Sequence, residues 1–97
     1  MARFVVLIDW TEQGIAKFQD SVGRYEAARG DFEALEVRFE GVYWTLGSHD
    51  IVCVVEAPNE ETLAAALLKL GSTGNLRTTT LRAFSTEEML RIIAKAG

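Results

Sequence analysis

Two segments of this sequence, Phe4-Val5-Val6-Leu7-Ile8 and Ile51-Val52-Cys53-Val54-Val55, are apolar at every position. Each is short, rich in β-branched residues and bounded by an aspartate, so each reads as a strand rather than a turn of helix. Successive side chains of a strand point to opposite faces of a sheet. A strand that is apolar on both sets of positions is therefore buried on both faces. Whatever this chain folds into must cover both sides of one sheet.

Two further segments have strand character. In Phe39 to Leu46, Tyr43 and Thr45 share one face while Val42, Trp44 and Leu46 share the other. Leu76 to Phe84 is rich in threonine and suits an edge strand. Here Asn75, Arg77 and Thr79 alternate with Thr78, Thr80 and Arg82. Gly47-Ser48-His49-Asp50 separates two strands and reads as a hairpin turn.

The intervening segments are helical. Thr11 is placed as an N-cap. Beyond it Ile15, Phe18, Val22, Tyr25, Phe32 and Leu35 form an apolar stripe at three- and four-residue steps, with two steps combined between Tyr25 and Phe32 where Ala28 fills in. Gly14, Gly23 and Gly30 each weaken that segment by about 1 kcal/mol relative to Ala. Asp20-Ser21 offers a second start, so a short turn and then a longer helix over 21–35 are expected. A second helix follows Asn59 as cap, with Glu60 and Glu61 in its first turn and Gly71 past its end. A third follows Ser85, which has capping-box spacing to Glu88, and carries Met89, Ile92, Ile93 and Ala96 on one side.

The order is β-α-β-β-α-β plus a C-terminal helix, the ferredoxin-like pattern of the α+β class. Its 97 residues suit one domain. Right-handed crossovers put the first and third strands at the centre of a four-stranded antiparallel sheet with helices on one face. Both central strands are apolar at odd and even positions, Val5 and Leu7 against Val6 and Ile8 and Ile51, Cys53 and Val55 against Val52 and Val54, so whichever set faces away from the helices is carried into water. At about 25 cal/mol per Å² this is unfavourable by several kcal/mol. A second copy related by a two-fold axis is the simplest cover, and the expected state is a homodimer packed sheet to sheet, with a higher oligomer open.

Charge and composition exclude other partners. A formal charge of −4 argues against a nucleic-acid footprint or a polybasic membrane patch. Only five consecutive strongly apolar residues precede Asp9, fewer than the roughly 7 that a signal peptide needs, and no run approaches a membrane span. Cys53, the sole cysteine, reads as a buried thiol. These features together point to a cytoplasmic protein. One histidine and one cysteine cannot supply the three or four ligands of a metal site in one chain, so no metal or other cofactor is expected.

Several polar residues are candidates for a site. His49 with Asp50 could act as acid, base or ligand contact, or both could serve only the hairpin turn. Asp9, Trp10 and Thr11 end a central strand beside a helix start, where α/β sites often place polar groups. Asp9 could act as a base and Trp10 could stack on a ligand, or the three could cap the helix and close the core. Arg77 could bind a carboxylate or phosphate, or pair with a partner's Glu36, Glu40 or Glu56. The Gly71-Ser72-Thr73-Gly74 loop lacks the strand-loop-helix order of a phosphate loop.

The blocks Phe4-Val5-Val6-Leu7-Ile8-Asp9-Trp10-Thr11, Gln13-Gly14-Ile15, Tyr43-Trp44-Thr45-Leu46-Gly47-Ser48-His49-Asp50-Ile51-Val52, Val55-Glu56-Ala57-Pro58 and Gly74-Asn75-Leu76-Arg77-Thr78-Thr79-Thr80-Leu81-Arg82-Ala83-Phe84 resemble the GYD domain family over nearly the whole chain. The resemblance implies a dimeric α/β barrel and no established reaction. His49 stands where the family's namesake tyrosine falls. Glu36-Val37 replaces the glycine pair with which family members tend to end the long helix.

Three functions compete. The first is a homodimeric small-molecule binding or sensing domain, with Trp10, Tyr43, Trp44, His49 and Arg77 around its pocket. The second is a cofactor-free enzyme moving protons through His49 and Asp50 or Asp9. The third is a structural oligomerisation module. RNA binding is disfavoured, because RNA-binding sheets of this topology present aromatics on a basic platform.

Overall fold

The computed structural model describes residues 1–97. The elements run β1 (Ala2–Trp10), α1 (Glu12–Ala16), α2 (Ser21–Ala34), β2 (Arg38–Trp44), β3 (Ile51–Ala57), α3 (Glu60–Gly71), β4 (Leu76–Ala83) and α4 (Thr86–Ala96), with a single 3₁₀ turn, Phe18–Asp20, between α1 and α2. The sheet has the order β2-β3-β1-β4 with every neighbouring pair antiparallel. This is the expected ferredoxin-like arrangement, with the two continuously apolar strands at its centre. No helix is long and apolar enough to cross a membrane.

The pleat divides those two strands between two environments. Phe4, Val6 and Ile8 of β1 and Ile51, Cys53, Val55 and Ala57 of β3 point toward the helices. They are buried together with Phe32 of α2, Leu63 and Ala66 of α3, Val37 and Leu76. Val5, Leu7, Val52 and Val54 point the other way and remain half-buried, screened only by their neighbours in the sheet. The register puts Val5 opposite Val54 and Leu81, and Leu7 opposite Val52 and Thr79. One face of the sheet is thus a continuous apolar band open to solvent.

Helix boundaries follow local chemistry. Thr11 and Asn59 accept from the N–H groups of Gly14 and Thr62, and Ser85 closes a full capping box with Glu88. Asp20 makes no side-chain cap, and Gly71 is the last residue of α3 rather than the one beyond it. β2 stops at Trp44, two residues short of the expected Leu46. There Thr45 N–H donates to the Asp50 carbonyl at 2.9 Å and its hydroxyl to the His49 carbonyl at 2.6 Å, closing the hairpin.

α2 ends in a Schellman motif. Val37 N–H donates to the Phe32 carbonyl and Glu36 N–H to the Glu33 carbonyl, while Val37 packs in the core with Phe32. The motif requires a left-handed residue, and Glu36 supplies it at φ 61°.

The apolar stripe expected along the first helical segment is not one buried face. Phe32 is buried, but Ile15, Phe18 and Val22 are more than half exposed. The 3₁₀ turn interrupts the helical phase, so residues before and after it do not share a side. Within α2, Val22 also lies roughly 80° around the axis from Phe32 at 100° per residue. α4 buries none of its residues.

Candidate functional site

A close-packed junction lies where β1 passes into α1. Thr11 N–H donates to the Asn75 carbonyl at 3.1 Å, and its hydroxyl donates to the Gly74 carbonyl at 2.6 Å. Gln13 Nε2 reaches the Thr73 carbonyl and Asn75 Oδ1. α1 sits so close that a Cβ on Gly14 would lie 1.9 Å from the Asn75 carbonyl oxygen. No side chain fits there, which explains a glycine inside a helix. The junction locks α1 against the entrance to β4.

Arg24 of α2 builds on that junction. Its guanidinium donates to the Gly14 carbonyl through both Nη1 and Nη2 at 3.2 Å and to the Lys17 carbonyl at 2.6 Å. All of these acceptors are neutral. The half-buried guanidinium lines the rim of two adjoining hollows.

The inner hollow lies between α2 and the helix face of the sheet. Its volume is about 40 Å³, and Trp10, Tyr25, Phe39, Trp44 and Cys53 form much of its wall. Tyr25 meets Phe39 and Trp44 edge-on at ring distances of 5.3 and 6.1 Å, the arrangement aromatic quadrupoles favour. Trp44 Nε1 donates to Ser21 Oγ at 2.9 Å, so the indole keeps its polar bond at the apolar wall. Burial pushes the Cys53 thiol up to about 11, which leaves it protonated and unreactive at neutral pH. The outer hollow is a cleft of about 300 Å³ between α2 and α3. Ala28, Leu70 and Leu76 belong to both hollows.

The open face of the sheet carries the other candidates. Its centre is the band of Val5, Leu7, Val52, Val54 and Leu81, and charge closes it at both ends. At one end Arg3 donates to both oxygens of Glu40 at 2.7 and 3.2 Å, and Arg38 bonds Glu56. The Arg38 hydrogen bond holds the Glu56 carboxyl below the usual carboxylate range, and the charges of Arg38 and Arg3 add to it. The Glu40 hydrogen bond and charge raise Arg3 further above its ordinary value. Glu40 reaches this face because β2 bulges between Phe39 and Gly41. Beside it Tyr43 lies over Gly41, where a Cβ would come within 3.1 Å of the ring.

At the other end His49 Nδ1 lies 3.1 Å from Asp9 Oδ1, and Arg77 stands opposite Asp9 in the register. The carboxylate that meets the imidazole is thus Asp9 rather than the adjacent Asp50. Asp50 binds backbone instead. Its Oδ2 accepts the Trp10 N–H at 2.9 Å, and its own N–H donates to the Ile8 carbonyl. It extends the pairing of β1 with β3 by one step. Both His49 and Asp9 are about a third or more exposed, outside either hollow. No three His, Cys, Asp or Glu side chains converge as a metal site would need.

The five residues expected around one pocket therefore divide. Trp10 and Trp44 meet at the inner hollow, whereas Tyr43, His49 and Arg77 lie on the open face. Sequence reasoning missed Arg24, Tyr25 and Phe39. Gly14 was the available signal: an unexplained glycine in a helix marks a close approach, and Arg24 is anchored on its carbonyl.

Comparison with known proteins bears on the family and the fold. The profile of the GYD domain matches residues 4–93. A Thermus thermophilus protein described as glutamine synthetase and cystathionine beta-lyase binding protein is 33% identical over 91 residues, covering 93% of this chain and 96% of its own. Two crystal structures share the fold. The leucine response regulatory protein LrpA of Mycobacterium tuberculosis superposes with a TM-score of 0.64 at 21% identity over 88% of this chain, which spans 51% of that regulator. TTHA0845 of Thermus thermophilus superposes with a TM-score of 0.57 at 25% identity, covering 89% of this chain and 96% of its own. With its profile matched over almost its whole length, the chain belongs to the GYD domain family.

Proposed function

We propose that this chain is a small regulatory binding protein, working as a homodimer joined through the open sheet face and carrying a small-molecule site in each copy. The observation that carries the reading is the apolar band of Val5, Leu7, Val52, Val54 and Leu81, closed at one end by the Arg3–Glu40 and Arg38–Glu56 pairs and at the other by the His49–Asp9 contact with Arg77 in register beside it. Covering this face with a second copy removes apolar surface from water while the Arg3–Glu40 and Arg38–Glu56 pairs at one end stay matched within the chain. Four strands of about seven residues give a footprint of roughly 25 by 19 Å. That is about 1,000 Å² over both copies, the lower bound of a specific interface.

The Thermus relative named for binding two enzymes supports a protein-binding role beyond self-association. A second reading, proton transfer by His49 and Asp9, draws on their 3.1 Å contact. It would operate only in a chamber closed by the second copy, because both groups are exposed in one.

Native mass spectrometry of protein isolated gently from its source cells tests the proposal. A dimer carrying a stoichiometric small mass, with or without a bound enzyme, is the expected result. A bare dimer would reduce the role to assembly, and a bare monomer would overturn the account of the open face.

A further inference from the structure

The cleft between α2 and α3 combines shape, charge and depth in a way that the open face does not. Its floor is apolar, made by Phe32, Ala66, Leu70 and Leu76. At one rim Lys69 and Asp31 face each other at 3.5 Å and neutralise one another. At the other rim stands Arg24, whose charge is met only by carbonyl oxygens. A guanidinium has five N–H donors; the bonds to Gly14 and Lys17 use three, leaving two, Nε–H among them. Behind Arg24 and Ala28 the cleft adjoins the aromatic inner hollow.

We infer that this cleft binds a small apolar anion, a monocarboxylate with an aliphatic or aromatic tail. Its carboxylate sits against the free Nε–H of Arg24, and its tail lies on the Phe32–Leu70–Leu76 floor toward Trp10 and Trp44. This inference names the ligand class for the small-molecule site of the proposed function and rests on that part of it. At about 30 Å³ per water-sized group, 300 Å³ of cleft admits about ten non-hydrogen atoms. A cation is disfavoured because Asp31 is already paired and Arg24 repels it. The site also bears on regulation. An anion on Arg24 touches the residue that ties α2 to the Gly14–Asn75 junction, and that junction leads into β1 and β4 of the open face.

The test uses 3-phenylpropionate and octanoate against their alcohols, 3-phenylpropanol and octanol, titrated into the full chain with calorimetry and indole fluorescence. The carboxylates are expected to bind at least tenfold more tightly than the alcohols and to shift the emission of Trp10 and Trp44. Arg24→Gln should erase that preference. Because Arg24 also braces α1, Ala28→Leu serves as a second variant: it adds bulk to the lining that cleft and inner hollow share, with every charge intact. It should weaken both carboxylates at least tenfold and leave the urea midpoint near that of the parent. Equal binding of acid and alcohol, absence of binding to folded protein, or unchanged affinity in Ala28→Leu would overturn the inference. Sedimentation of the same samples separates the two ideas. Carboxylate binding by a monomer removes the dimer and keeps the site, whereas a dimer blind to carboxylates does the reverse.

Discussion

The two faces of this sheet are built from nearly the same residues and have different fates. On one, Phe4, Val6 and Ile8 alternate with β3 partners that include Cys53 and Val55, and α2 and α3 seal them. On the other, Val5, Leu7, Val52 and Val54 form an equally apolar band with nothing of their own chain above it. Adjacent residues of one strand are thus divided between an enclosed face and an open one. The first set stabilises the protomer, and in the proposed dimer the second would do so only when another surface arrives. Composition cannot separate the two sets. The handedness of the crossovers does so, by placing both long helices on the same side.

The largest expected effect breaks this comparison with one charge placed on neighbouring residues. Val55→Asp puts an unpaired carboxylate among fully enclosed side chains and should destabilise the protomer by more than about 4 kcal/mol, so that no native circular dichroism survives. Val54→Asp points to the open face and should leave the urea midpoint of dilute protein almost unchanged while abolishing the dimer in sedimentation. If both variants unfold, the faces are not separable and the division fails.

A smaller contrast compares two leucines. Leu63 is 2% exposed on α3 and Leu81 is 49% exposed on β4. Leu63→Ala should cost about 2–5 kcal/mol at any protein concentration. Leu81→Ala should cost under about 1 kcal/mol in dilute solution and show its main effect as a raised dissociation constant.

Next comes the cap of α4, an element neither face holds. Ser85→Ala removes one half of the capping box and should cost about 1 kcal/mol locally. The loss should appear as faster amide exchange in 86–92, with the global urea midpoint unmoved.

The smallest effect is acid sensitivity at the charged end of the open face. Glu56 has a folded pKa below its unfolded value. It therefore adds stability that is present above the unfolded carboxylate value of about 4.3 and is lost as pH falls through the folded one. The parent should lose more of its urea midpoint between pH 6 and pH 3 than Glu56→Gln does. Equal losses would show that the bond to Arg38 contributes nothing measurable.

The strands and caps were legible because local chemistry decides them. Uninterrupted apolar runs, Asn59 ahead of two glutamates, and Ser85 spaced from Glu88 each carry their own reason. The ferredoxin-like order followed from element sequence alone. The site was legible only in halves. Trp10 and Trp44 line one hollow, whereas Tyr43, His49 and Arg77 lie on the opposite face; alternation already separated Tyr43 from Trp44, but which set meets the helices depends on how the strands and helices assemble. Asp9 meeting His49 across 40 positions is likewise a property of strand order. Arg24 was hidden for a related reason. An arginine on a helix looks like any solvated cation until the carbonyls that hold it are brought near.

Glu36 has a consequence of a different kind. The turn after α2 is shaped for a residue without a side chain, and a glutamate occupies it at φ 61°. A left-handed conformation costs an L-residue about 1–2 kcal/mol. The protomer therefore operates below the ceiling its own backbone allows. Glu36→Gly would release that reserve without touching a core side chain, offering a dial on the lifetime of the single copy.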